Sequence, residues 1–229
     1  MPRRRNSGVM FSPWKGTPSV ASGLSFGVGG SHGQQHGTIA APGLPFYRTA
    51  GQQIFFNYRI DATTAGTAIA DGTRTRLSPQ LSYYNGPLGI LAEYARSSQE
   101  VRRDTTVANL THKAWEVTGF WVLTGENASF RWHAPKRAWD RDADDAGSRG
   151  FGAVAIMARY NEWKADADAF PLFAGATSAQ EAKGWAVGVD WTLQRFIRLM
   201  ADYEVTSFSG LGLARPDEKV FFTRFQIGW

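Results

Sequence analysis

The sequence predicts an all-β fold, specifically an antiparallel transmembrane β-barrel, and three observations carry that prediction. Wherever the chain is periodic, its period is two. The two alternating faces differ in kind: one collects Leu, Val, Ile, Trp, Tyr and Phe, the other Arg, Glu, Asp, Ser, Thr, Gln and small residues. Tryptophans also recur near both ends of one strand, Trp115 with Trp121 and Trp185 with Trp191. That spacing suits two interfacial belts around an apolar band.

The elements follow in order. Gly23–Ser31 alternates Leu24, Phe26 and Val28 with Ser25, Gly27 and Gly29. In Thr73–Tyr84, the residues Thr75, Leu77, Leu81 and Tyr83 face one way and Arg74, Arg76, Ser78, Gln80 and Ser82 the other. Asn85-Gly86 then signals a type I′ hairpin, whose two central residues need positive φ. The return strand sets Leu88, Ile90, Ala92 and Tyr94 against Gly89, Leu91, Glu93 and Ala95. Pro79 falls mid-strand, where it removes a ladder donor, and predicts a bulge or an interrupted pair. The same alternation returns at Trp115–Leu123, Val154–Tyr160, Trp185–Thr192, Arg198–Val205 and Glu218–Trp229. Template matching gives about eight strands.

Connections are expected in two kinds: short turns at Asn85-Gly86 and Gln194-Arg195, and long extracellular loops near 97–111, 126–150 and 163–183. The 126–150 loop mixes Arg131, His133, Lys136, Arg137 and Arg141 with Asp140, Asp142, Asp144 and Asp145, and reads as a solvated loop. Residues 1–20 are expected to lead into the barrel, partly disordered, with the barrel over 21–229. The basic start (MPRRR) lacks the apolar stretch of a signal peptide, so an export signal is expected upstream of a truncated sequence.

Composition sets limits. The 229 residues are 43% hydrophobic and 14% aromatic, with no cysteine. No run approaches the roughly 20 apolar residues of a spanning helix, but a spanning strand needs only about 10 of alternating character. Without cysteine there are no disulfides, thiolate metal sites or cysteine nucleophiles. The net charge of +5 points to anionic partners. The basic residues are scattered through strands without a reader motif, so nucleic acid is not an expected partner.

Several blocks resemble the phosphate-selective porin O and P family: Phe46–Gln52 (FYRTAGQ), Asp71–Gln80 (DGTRTRLSPQ), Tyr84–Tyr94 (YNGPLGILAEY), Ala158–Tyr160, Asp168–Phe173 (DAFPLF), Gly188–Trp191 and Lys219–Gln226. The resemblance spans roughly residues 10–229 and matches the family's carboxy-terminal half. It implies half of an outer-membrane barrel of about 16 strands, a homotrimer, passive passage of small anions such as phosphate, and no cofactor. The finish at Phe225–Trp229 resembles the signal read by the barrel-assembly machinery, with Trp229 as the contact.

If the polar face lines a pore, Arg74, Arg76, Arg159, Arg198 and Arg224 point into it. Guanidinium forks suit phosphate oxygens, and rings of arginine give anion selectivity. The alternative is structural, with these arginines pairing across strands with Glu93, Glu116, Asp190, Asp202 and Glu204. Acids on the same face also leave a general porin open. A soluble β-sandwich or lipocalin-like binding module and a non-conducting barrel fragment are rival readings.

Other candidates carry little. The glycine run Gly27–Gly33 imitates a phosphate loop but no helix pattern follows. His32, His36, His112 and His133 show no metal motif. Asn109-Leu110-Thr111 and Asn127-Ala128-Ser129 match the glycosylation pattern, which is accidental in a bacterial barrel. No nucleophile–base constellation is visible, so no enzyme is expected.

Overall fold

The computed structural model describes residues 5–129, 134–140, 150–210 and 214–228. Arg131, His133, Arg141, Asp142, Asp144, Asp145 and Trp229 lie outside the described residues. Nine strands form one continuous sheet: β1 (Arg5–Phe11), β2 (Leu24–His36), β5 (Ile69–Asn85), β6 (Leu88–Arg103), β7 (Thr106–Val122), β8 (Ala153–Lys164), β9 (Glu181–Gln194), β10 (Ile197–Ser209) and β11 (Glu218–Ile227). Every neighbouring pair is antiparallel. The sheet is not closed, and β1 and β11 are its two edges. Between β2 and β5 a small hairpin, β3 (Tyr47–Arg48) with β4 (Ile54–Phe56), stands apart from the sheet.

The alternation read from sequence settles which face is which. On β9, Trp185, Val187 and Val189 are 45–49% exposed, while Asp190 on the opposite face is 2% exposed. Apolar side chains outside and polar ones inside invert the order of a soluble sandwich, which would bury the valines. On the outer face, Tyr94 and Trp115 are register partners, as are Tyr160 and Trp185. The rings of Trp115 and Tyr160 lie 5.3 Å apart and those of Trp185 and Tyr203 6.0 Å. This is one aromatic belt crossing β6 to β10. Trp121 and Trp191 belong to a second belt six residues along their strands, or about 20 Å at the rise of a strand.

The inner face is covered at one end by two connections that fold over it. Residues 55–59 run against 173–179: Arg59 N–H donates to the Phe173 carbonyl at 2.8 Å, Gly175 N–H to Asn57 at 2.8 Å, and Ala179 N–H to Phe55 at 2.8 Å. Phe55, Phe56, Tyr58 and Phe173 pack there with Val101, Leu110, Trp163 and Ala182 of the wall. The largest buried apolar cluster is therefore a plug against the inner wall.

Several expectations need correction. The stretch 97–111 is not a long loop: β6 and β7 continue through it and turn at Asp104-Thr105, with Asp104 at φ 53. Nor can the long connections share one side. Successive connections of an antiparallel meander alternate ends, so 165–180 lies opposite the β7–β8 connection. Short turns occur at both ends, Gly86-Pro87 and Arg195-Phe196 at one and Asp104-Thr105 at the other. The first hairpin is centred one residue later than expected. Asn85 pairs with Leu88 and only Gly86 (φ 54) has positive φ, because proline at the second central position fixes φ negative. That is the pattern of a type II′ turn. At Pro79 the ladder to β6 skips its rungs without changing register, while the irregular register lies between Ala70 and Arg74, around Gly72 at φ 140. Among the described residues there are eleven strands rather than about eight: Arg5–Phe11 adds an edge to the large sheet, which has nine, and β3 and β4 make the separate hairpin.

Candidate functional site

The inner wall over β8, β9 and β10 owes its shape to small residues. Gly184, Ala186 and Gly188 line the inner face of β9, leaving a gully into which longer side chains from both sides fold. Arg159 on β8 and Glu204 on β10 are both register partners of Ala186. With only a methyl group between them, the guanidinium spans a whole strand and donates to the Glu204 carboxylate. Asp202 likewise lies across Gly188, where an added Cβ would meet its carboxylate at 2.0 Å. One diagonal further, Arg198 Nε donates to Asp190 at 2.6 Å and its Nη2 donates to the other carboxylate oxygen. Such bidentate pairing is the stronger kind of charge-assisted contact.

The five predicted arginines do not converge on one constellation. Arg159, Arg198 and Arg224 share the patch on β8, β10 and β11 with Asp190, Asp202 and Glu204. Arg74 and Arg76 lie on β5. Arg159 and Arg198 are held by carboxylates. Arg74 is buried beneath the plug and donates to Gln35 Oε1 at 3.0 Å. Arg76 and Arg224 are exposed and form no ion pair among the described residues. Acidic neighbours are also on this face: Glu93 stands directly opposite Glu116 and accepts a hydrogen bond from Ser78 at 2.5 Å. Like charges so placed repel, which marks a wall bathed by water and ions. A cavity of ≈ 350 Å³ separates the β3–β4 hairpin from the wall, lined by Arg48, Thr49, Glu116, Arg159, Asn161 and Glu204.

Sequence reading missed the group that ties the plug to the wall. His112 on β7 is 3% exposed, among the rings of Tyr47, Phe56, Tyr58 and Trp163. The Asp166 N–H donates to His112 Nδ1 at 3.1 Å. Nδ1 therefore bears no hydrogen, and the neutral ring carries it on Nε2, which donates to the Tyr58 hydroxyl oxygen at 2.7 Å. Thr111 N–H donates back to Asp166 Oδ2 at 2.7 Å. Burial pushes the Tyr58 phenol well up, and Tyr47 up as well against the pull of Arg74 and Arg76. A lone histidine has no distinguishing signal in the sequence, because its partners lie 54 residues away on either side.

Among the described residues no cluster of three or more His, Asp or Glu side chains is arranged to hold a metal ion, and no helix is long and apolar enough to cross a membrane. The glycine run Gly27–Gly33 lies within β2. A strand wall that is apolar outward and charged inward defines this chain as one of the β-barrel walls that face lipid outside and water inside. Within that class, the family model for phosphate-selective porin O and P matches residues 10–226, and the chain belongs to that family. A comparison with curated proteins finds no match.

Proposed function

We propose that the chain forms the wall, or part of the wall, of a bacterial outer-membrane channel that passes small anions such as phosphate down their gradient. The observation that carries this reading is the set of arginines on the inner face of a porin-family sheet. Arg76 and Arg224 offer uncompensated charge, and Arg74, Arg159 and Arg198 contribute fields tempered by their partners. Passive passage requires binding weak enough to release, so the path needs neither a catalytic residue nor a cofactor. Assembly as a homotrimer, delivery by the barrel-assembly machinery through Trp229, and an anionic rather than nucleic-acid clientele belong to the same reading. The acids Glu93, Glu116 and Asp202 favour one second reading, a general porin with little preference among ions.

Reversal potential and single-channel conductance of the chain in planar bilayers under a KCl gradient test the proposal. Anion-selective steps that phosphate blocks, and that weaken in Arg76→Gln and Arg224→Gln, are the expected result. Ohmic steps without ion preference would point to the general porin. Silence from a folded, inserted chain would overturn both readings.

A further inference from the structure

The outer face carries a charged row for which the channel reading has no use. Arg96 on β6 is the register partner of Lys113 on β7, and Lys113 is the partner of Lys164 on β8. All three are exposed. Cations directly opposite one another destabilise a ladder unless an anion lies between them. Lys164 has its answer in Glu162 at 2.6 Å and Glu181 at 3.1 Å. Arg96 and Lys113 form no ion pair among the described residues.

Position makes the row specific. By alternation Arg96 and Lys113 share the face of Tyr94 and Trp115, and stand one step beyond that aromatic belt, at the level of lipid headgroups. On the other side of the belt the wall is hollowed into an open apolar groove of ≈ 760 Å³, bounded by Ile90, Trp121, Val187 and Tyr203 and floored by Gly119 and Ala158. A Cβ added at Gly119 would meet nothing within 4 Å. Lys113 and Gly119 are six residues apart on one strand, about 20 Å, which is the reach of a fatty acyl chain.

We propose that this face is a binding site for an anionic, phosphate-bearing lipid, with its headgroup held by Arg96 and Lys113 and an acyl chain laid in the groove over Gly119. The inference rests on the reading of the sheet as a membrane wall. The guanidinium of Arg96 forks onto two phosphate oxygens while the Lys113 ammonium acts as a point charge. The apolar groove below distinguishes the ligand from free phosphate, which has nothing to place there.

The test is native mass spectrometry of the delipidated full chain in non-ionic detergent, titrated with phosphatidylglycerol or phosphatidylcholine of identical acyl chains. Phosphatidylglycerol is expected to bind at least tenfold more tightly. Arg96→Gln/Lys113→Gln should weaken it by roughly 30-fold, from the attraction of a basic side chain to an anionic headgroup. Gly119→Leu keeps the charges and fills the groove, so it should weaken both lipids, and it still decides the matter if the double variant fails to fold. Equal affinity for the two lipids, unchanged binding in either variant, or displacement of the lipid by equimolar inorganic phosphate would overturn the site. A chain that is monodisperse in water without detergent would overturn the membrane reading with it. A chain that needs detergent yet ignores headgroup charge would overturn only the lipid site.

Discussion

Glu204→Gln removes one negative charge from the inner wall and releases Arg159, which is 36% exposed and borders the cavity beneath the hairpin. An anion passing about 5 Å from the freed guanidinium gains about 0.4 kcal/mol in a water-like lumen at physiological salt, and about 1.8 kcal/mol at an effective dielectric of 20. Even the smaller value doubles the anion's occupancy and halves a cation's, raising the permeability ratio about fourfold. The stability cost should be about 1 kcal/mol, because water still reaches the arginine. Arg159→Ala is the unequal counterpart: it strands the Glu204 carboxylate, only 6% exposed, without its cation, at about 3–5 kcal/mol. Bilayer reversal potentials and urea unfolding of the detergent-folded protein measure the two effects. A reversal potential that fails to move toward the anion, or two variants that lose equal stability, would refute the reasoning.

Other expectations follow from the same contacts. Phe56→Ala empties the centre of the plug and should cost about 3–5 kcal/mol, with the 165–180 connection becoming sensitive to protease. His112→Phe keeps the ring but strands the Tyr58 hydroxyl and the Asp166 N–H, each at about 1–3 kcal/mol, seen as a lower urea midpoint. Burial raises the phenols of Tyr47 and Tyr58 above the ordinary value of 10. Their contribution to stability is complete below pH 10 and is lost as pH rises through the raised values. Phenolate absorbance should therefore show at least these two tyrosines titrating late in the folded protein and with the rest in denaturant.

The strands were legible where one side meets lipid and the other water, because that contrast writes period two into the sequence. Trp115–Leu123 and Trp185–Thr192 are such segments. The signal failed where the contrast ends. Between Ser97 and Thr111 most outward residues are polar, as in Ser98, Glu100, Arg102 and Asn109, with Val107 the apolar exception, and the inward Val101 and Leu110 are covered by distant chain. The stretch therefore looked like a loop although it is paired throughout. The plug was illegible for a related reason. Phe55, Phe56 and Tyr58 are buried by wall residues such as Leu110 and His112 and by Phe173, more than 100 positions later, a relation that local pattern does not express. Alternation puts the arginines on the polar face of the sheet. It left open which would meet a carboxylate, since that depends on small neighbours such as Ala186 and on reach across a strand.

The direction of the two edge strands has a consequence for any complete ring. With nine strands alternating in direction, β1 and β11 run the same way, so joining them to each other would make a parallel seam in an otherwise antiparallel wall. A ring that keeps every neighbour antiparallel must set an odd number of further strands between these edges. Two copies set in the same direction would bring eighteen strands and two parallel seams. Whatever completes this wall without a parallel seam therefore cannot be a second copy set in the same direction; its contribution is odd in number, and its first and last strands both run opposite to β1 and β11.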